Sequence, residues 1–292
     1  MEKSCRMKYG NSFFFGGMLM FFVLNANWLF AEETTPQQFE GFNLQGYTER
    51  GEKSWDVMGE TADIVGNLVT MTNIIANSYG EQKVNLKSKI GTIQKDTGKI
   101  HLEKDVVITT ETGAQLTTET LDWDRNNDLV TTNDFVTIIN KNMKATGTGI
   151  EAHPNLKLAQ LNEDVTVHMK PEKGKPEDRQ PVTITCDGPL EIDQLNNLAT
   201  FNENVVAIQT DRQLKADKME VYIDPATNKI KKMICTGHVE VTQGENKSYS
   251  DMAVYTADDQ KLVLTGRPKL ILMMEADEEG EEVISMEEVL QP

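Results

Sequence analysis

The sequence contains few of the side chains from which metal centres and covalent catalytic sites are built. It has four histidines and three cysteines, and they form no CxxC, HxxxH or HExxH spacing. Because zinc sites use such closely spaced ligands, no metal site is predicted. A phosphate-binding loop, a GxGxxG turn opening a helix and a GxSxG nucleophile elbow are lacking as well. We therefore expect neither a catalytic residue nor a cofactor.

Basic side chains are also scarce. The chain has 29 lysines and arginines against 46 aspartates and glutamates, which gives a formal net charge of −17. Nucleic-acid binding needs a basic face that neutralises phosphates, and electrostatic docking on anionic lipid needs the same. We therefore expect no nucleic-acid partner.

Acidic residues are abundant, but no pair of them stands out as catalytic. The segment 122–128 places oxygen ligands at alternate positions, as a calcium loop does. It lacks the glycine expected at position six and the glutamate expected at position twelve, where Asn127 and Asn133 stand. A hairpin turn is therefore favoured over a calcium site. A carbohydrate-active enzyme with two carboxylates remains a rival to a non-catalytic protein.

The N-terminus has the features of a targeting segment. Three basic residues precede an apolar run at 13–24, which is too short to span a bilayer as a helix. This pattern predicts a signal peptide cleaved after Ala31. If two asparagines are tolerated, residues 13–31 could instead remain as a single membrane anchor. Both alternatives predict export, and an oxidising compartment would let Cys186 and Cys235 pair, with two isolated buried thiols as the alternative.

The rest of the chain is predicted to be all-β. From Phe39 onward, short runs of alternating polar and apolar residues, such as 182–185 and 239–241, are separated by turn signals such as Asp96-Thr97-Gly98. Alternation with a period of two is typical of strands that present one apolar face.

The strands also follow a longer period, in which a polar residue precedes an apolar alternation. This signature recurs after 29, 30, 40 and 34 residues, at Asp105, Asp134, Asp164, Asn204 and His238. The long interval contains a polar, proline-rich stretch at 170–178, so the underlying unit is about 30 residues. One such unit cannot bury its apolar face alone, but stacked units can. The period therefore predicts an elongated, rolled antiparallel sheet with an apolar lining and open edges.

Several motifs resemble those of the periplasmic bridge proteins of lipopolysaccharide transport. In the first half they are residues 42–47 (FNLQGY), 55–62 (WDVMGETA), 113–124 (GAQLTTETLDWD) and 145–152 (ATGTGIEA), which are similar to the LptC type. In the second half they are residues 214–217 (LKAD), 234–239 (ICTGHV) and 264–268 (LTGRP), which are similar to the LptA/OstA-like domain. These modules are usually separate proteins, whereas here they are joined in one chain.

This resemblance implies a β-jellyroll, or β-taco, that passes lipopolysaccharide or a related glycolipid along its interior. It implies as partners an inner-membrane ABC transporter and other bridge proteins, joined sheet edge to sheet edge. It also implies a periplasmic location, with residues 13–31 as the possible tether. The expected organisation is a leader or anchor at 1–31, an LptC-like domain at 32–169, a loop at 170–181, an LptA/OstA-like domain at 182–273 and an acidic tail at 274–292.

The apolar members of the alternating runs are the candidate lipid-binding residues. In the first half they are Val106, Ile108, Leu116, Leu121, Trp123, Phe135, Val165 and Val167. In the second half they are Ile184, Leu190, Ile192, Phe201, Val205, Leu214, Met219, Val221, Val239 and Val241. The same residues could fill a dry core, so a structural β-solenoid without lipid cargo is the alternative function.

Overall fold

The computed structural model describes residues 36–79, 83–170, 180–227, 229–259 and 261–273. These residues form seventeen β-strands in one antiparallel sheet and a single 3-10 turn, Pro154–Leu156. The prediction of an all-β antiparallel fold of the jellyroll type is thereby confirmed. The predicted leader, most of the predicted loop at 170–181 and the acidic tail lie outside the described residues.

The strands follow one another across the sheet in chain order. They are β1 (Gln37–Tyr47), β2 (Lys53–Val65), β3 (Leu68–Tyr79), β4 (Lys83–Gln94), β5 (Lys99–Thr110), β6 (Gln115–Asp124), β7 (Leu129–Asn140), β8 (Met143–His153), β9 (Leu158–Met169), β10 (Val182–Cys186), β11 (Leu190–Asp193), β12 (Leu198–Gln209), β13 (Arg212–Ile223), β14 (Ile230–Gln243), β15 (Asn246–Thr256), β16 (Lys261–Thr265) and β17 (Lys269–Ile271). Both β10 and β11 pair with β9 and with β12, and both β16 and β17 pair with β15. The two edges of the sheet are therefore β1 and the β16–β17 pair.

A bulge near the middle of alternate strands explains the long sequence period. Four of the five recurring polar residues have a positive φ: Asp105 (54°), Asp164 (52°), Asn204 (50°) and His238 (44°). Each lies where the ladder to a neighbouring strand changes register. Aspartate, asparagine and histidine tolerate this left-handed conformation better than most side chains do. The polar residue recurs because the backbone needs it at the bend.

The residue after each bulge is fully buried. Val106, Val165, Val205 and Val239 are at most 1% exposed. All the described strands belong to one sheet, so these side chains must be covered by other parts of that sheet. Because bulges bend strands, the bends let the sheet turn its apolar face onto itself. This face is called the inner face below, and the opposite one the outer face.

Strand β7 departs from this pattern. Val136 is the buried residue there, and Phe135 is 60% exposed on the outer face. The pairing of β6 with β7 is interrupted between Thr117 and Asp122. The expected inward orientation of Phe135 is therefore wrong, because Asp134 lies two residues before the buried valine, whereas the polar residue of the other repeats lies directly before it.

The two parts predicted from the resemblance are connected by strand pairing. Strand β9 pairs with β10 from Met169, opposite Val182, to Val165, opposite Cys186. It pairs with β11 from Leu161, opposite Leu190, to Leu158, opposite Asp193. The ladder runs across this junction as it does between other strands.

We expect this junction to survive a cut in the chain. A protease site inserted between residues 170 and 180 should give two fragments that separate on a denaturing gel. They should elute together from a sizing column, because the backbone pairing of β9 and its apolar contacts do not depend on the connection. Uncut protein is the control for elution position. Separate elution of the fragments would show that covalent linkage alone holds the junction.

Candidate functional site

The inner face carries two clusters of buried apolar side chains. The first is centred on β2 to β6 and contains Ala62, Met71, Ile74, Leu102, Val106 and Leu121. The second extends from Val136 on β7 to Ala253 on β15. The division falls between β6 and β7 and not at the junction of β9 with β10. Strands β7 to β9 therefore share a core with the strands that follow them.

The candidate lipid-binding residues occupy three kinds of position. Eleven are buried: Val106, Leu121, Val165, Val167, Ile184, Leu190, Phe201, Val205, Met219, Val221 and Val239. Six are half-buried: Ile108, Leu116, Trp123, Ile192, Leu214 and Val241. Phe135 alone points to the outer face. The structure thus brings seventeen of the eighteen to one face, with the most buried positions next to the bends.

Polar groups interrupt this face at β6 and β7. Thr118 and Thr132 are buried there. Among the described residues, the buried side-chain polar atoms without a hydrogen-bond partner are Thr118 Oγ1 and Trp123 Nε1, both on β6. By contrast, the hydroxyl of Ser250, also beside a bend, donates to the carbonyl oxygen of Met252 at 3.1 Å. The sequence pattern placed Thr118 and Trp123 on strands but gave no sign that they lack partners.

Cys186 and Cys235 are free thiols. The predicted alternative of a disulfide between Cys186 and Cys235 is therefore wrong. They lie on β10 and β14, with β12 and β13 between them, so about 14 Å of sheet separates them. A disulfide requires Cα atoms within about 7 Å. Burial raises the pKa of Cys186 to about 11 and that of Cys235 to about 12, so both remain protonated at neutral pH.

The acidic segment at 122–128 forms a hairpin turn, as favoured above. Asp124 Oδ1 accepts hydrogen bonds from the backbone N–H groups of Asn126 and Asn127 at 3.1 and 3.2 Å. The hydrogen bonds from Asn127 lower the pKa of Asp124. The carboxylate therefore stabilises the turn. No group of three potential metal-ligating side chains occurs within the described ranges.

The outer face has one buried charge among the described residues. Asp56 on β2 is 2% exposed. It accepts hydrogen bonds from Asn77 Nδ2 at 2.7 Å and from Tyr79 Oη at 2.8 Å, and it forms an ion pair with Lys53. These bonds, first that from Lys53, lower its pKa to about 2. In the sequence, Asp56 occupies an outward position of an alternating strand like many other polar residues, so its burial and its hydrogen bonds could not be inferred.

Large apolar side chains are exposed on both edge strands. On β1 they include Phe39 and Leu44, and on β16 and β17 they include Val263 and Leu270. Neither edge has a further strand to pair with in the described part of the chain. No helix among the described residues is both long and apolar enough to cross a membrane.

Comparison with protein families gives two matches that lie end to end. Residues 29–170 match the family described as lipopolysaccharide-assembly, LptC-related. Residues 183–288 match the family described as LptA/(LptD N-terminal domain) LPS transport protein. Comparison with curated proteins found no relative. The two consecutive matches confirm the resemblance of each half: the chain joins an LptC-related part to an LptA-like part.

Proposed function

We propose that the inner face of the sheet binds the acyl chains of lipopolysaccharide, or of a related glycolipid, and passes the lipid along the bridge. The direction would be from the inner-membrane ABC transporter toward the outer membrane. The observation that supports this function is the row of inward apolar side chains, which continues from β2 to β15 with one interruption at β6 and β7.

The physical need for such a face follows from the cost of exposing acyl chains to water. Each exposed methylene costs about 0.8 kcal/mol, so a chain of about twelve carbons carries about 9 kcal/mol. A carrier must cover the chains and leave the sugars in solvent. No covalent step is involved, so no catalytic residue is needed.

The half-buried positions are the best candidates for lipid contact. The eleven buried residues are already covered by protein and form the base of the inner face. Ile108, Leu116, Ile192, Leu214 and Val241 are farther from the bends and retain accessible surface. Acyl chains would therefore lie against these side chains and above the buried layer.

The two edges are the proposed contacts with partner proteins. Strand β1 would face the transporter side, and β16 with β17 would face the next bridge protein, each through added strand pairing. Exposed apolar side chains on both edges support this assignment.

Photo-crosslinking in cells tests the lipid-binding face. A photoreactive phenylalanine at Leu214, which is half-buried and inward, should give a lipopolysaccharide adduct. The same residue at Lys215, which points outward, should give none, since consecutive strand residues face opposite sides. The absence of an adduct at Leu214 in folded, exported protein would favour the cargo-free scaffold. Complete burial of the residues at the bends is the observation consistent with that alternative.

A further inference from the structure

On the inner face, the C-terminal end of β6 carries a polar group among apolar neighbours. Trp123 Nε1 is buried and has no hydrogen-bond partner. Trp123 pairs with Ile100 on β5 and with Val130 on β7, and both of these pack against the first apolar cluster. A buried N–H without an acceptor costs free energy, and such groups in native proteins often meet an acceptor from water or a ligand.

A cation lies directly over the same side chain. The guanidinium carbon of Arg125 is 5.9 Å from the centroid of the Trp123 ring. Arg125 is exposed, and no ion pair of Arg125 is found among the described residues. In a chain with a net charge of −17, most of the surface repels an anionic headgroup. An exposed guanidinium without a carboxylate partner is therefore a favourable place for a phosphate.

Trp123 lies at the end of its strand, where the polar part of an acylated sugar would be if the acyl chain extended toward the bend. Trp123 is the penultimate residue of β6, next to the turn that contains Arg125, whereas Leu121 and Val106 lie toward the bend. A chain that enters from the strand ends would place its methyl end at the bend. Its ester or amide carbonyl would then lie near Trp123.

We propose that Trp123 and Arg125 bind the linkage and headgroup of the cargo. The indole N–H of Trp123 donates to the ester or amide carbonyl that joins an acyl chain to its sugar, and the Arg125 guanidinium pairs with a phosphate on that sugar. This inference rests on the proposed function, because it names the polar contact that accompanies acyl-chain binding on the inner face.

Thr118 provides a matched control. Its hydroxyl is the other buried polar atom without a partner among the described residues, but it lies at the bend, about 16 Å along the strand from Trp123. Thr118→Val removes that hydroxyl and nearly preserves the side-chain shape. A sugar linkage at the strand end would not be affected by this change.

The experiment measures the dissociation constants of the full chain for phosphorylated lipid A and for dephosphorylated lipid A with the same acyl chains. Trp123→Phe should weaken binding of both lipids about 3- to 10-fold, the effect of one hydrogen bond. Arg125→Gln should weaken only the phosphorylated lipid. Thr118→Val should change neither constant. The indole N–H resonance of Trp123, identified by its loss in Trp123→Phe, should shift on addition of either lipid but not of inorganic phosphate.

Four results would overturn the inference. Equal affinity of wild type and Trp123→Phe for both lipids, with an unmoved indole resonance, would reject the inference and leave the proposed function standing. Equal weakening by Thr118→Val would reject the location at the strand end. Displacement of phosphorylated lipid A by inorganic phosphate would show that Arg125 binds free phosphate and does not recognise the lipid headgroup. Failure of wild type to bind either lipid would reject the proposed function together with this inference.

Discussion

Replacing Val205 by aspartate is expected to unfold strands β7 to β15 and to leave β2 to β6 folded. Val205 is fully buried next to a bend and belongs to the second apolar cluster. A carboxylate placed there would have no partner, and burying it should cost more than about 4 kcal/mol. The first cluster shares no buried residue with the second, so it should keep most of its stability.

Amide hydrogen exchange resolved by peptide would measure this result. Peptides from β8 and β9 should lose protection together with those from β12 to β14, although β8 and β9 belong to the LptC-related part. Loss of protection that stops at the junction of β9 with β10 would show that the cooperative units follow the family boundary instead. Val206→Asp is the matched control, because Val206 points outward opposite Lys215 and its substitution should change stability by less than about 1 kcal/mol.

Replacing Asp56 by asparagine is expected to destabilise the N-terminal strands by about 2 kcal/mol at neutral pH. The asparagine amide would remove the ion pair with Lys53 and one of the acceptors for Asn77 and Tyr79. Hydrogen bonds to a charged group are each worth about 1.5–3 kcal/mol, and the single carbonyl oxygen of asparagine cannot replace both carboxylate oxygens as acceptors for the three donors.

The difference between wild type and Asp56→Asn should depend on pH in a defined direction. The pKa of Asp56 is about 2 in the folded protein, below its usual value of 3.8. A lowered pKa contributes stability that is complete above the unfolded value and is lost as the pH falls from about 4 through about 2. Urea unfolding of both proteins between pH 2 and 7 should show the two curves converging on acidification.

Asp63 offers a control on the same strand. No hydrogen bond or ion pair of Asp63 is found among the described residues, so Asp63→Asn should change stability by less than about 0.5 kcal/mol at any pH in this range. A constant gap between wild type and Asp56→Asn down to pH 2 would contradict the assigned role of the carboxylate.

The all-β fold class and the repeat of about 30 residues could be predicted from the sequence because both depend on local alternation of polar and apolar residues. The polar residue before each buried valine was visible as a period, but its backbone conformation was not, so the bend could not be inferred. At Asp134-Phe135-Val136 two apolar residues follow the polar one, and alternation alone cannot choose which of them points inward. The structure buries Val136 and exposes Phe135.

The other differences between prediction and structure concern residues whose neighbours come from distant parts of the sequence. Cys186 and Cys235 are both in alternating apolar positions, and only the number of strands between them excludes a disulfide. Counting the turn signals between the two cysteines could have identified this separation. The partnerless indole of Trp123 and the buried charge of Asp56 depend on neighbours from other strands, whose register the sequence does not specify.

The order of the strands has a consequence for how the chain acquires its structure. Each strand pairs with strands close to it in the sequence, so few native contacts join distant parts of the chain. Folding can then proceed hairpin by hairpin, with each new strand adding to the edge left by the one before it. A chain that reaches its compartment N-terminus first can complete β1 to β6, which carry the first apolar cluster, before β15 arrives. The nascent edge is at every stage the template for the next strand, and it is also the surface most exposed to aggregation until that strand pairs.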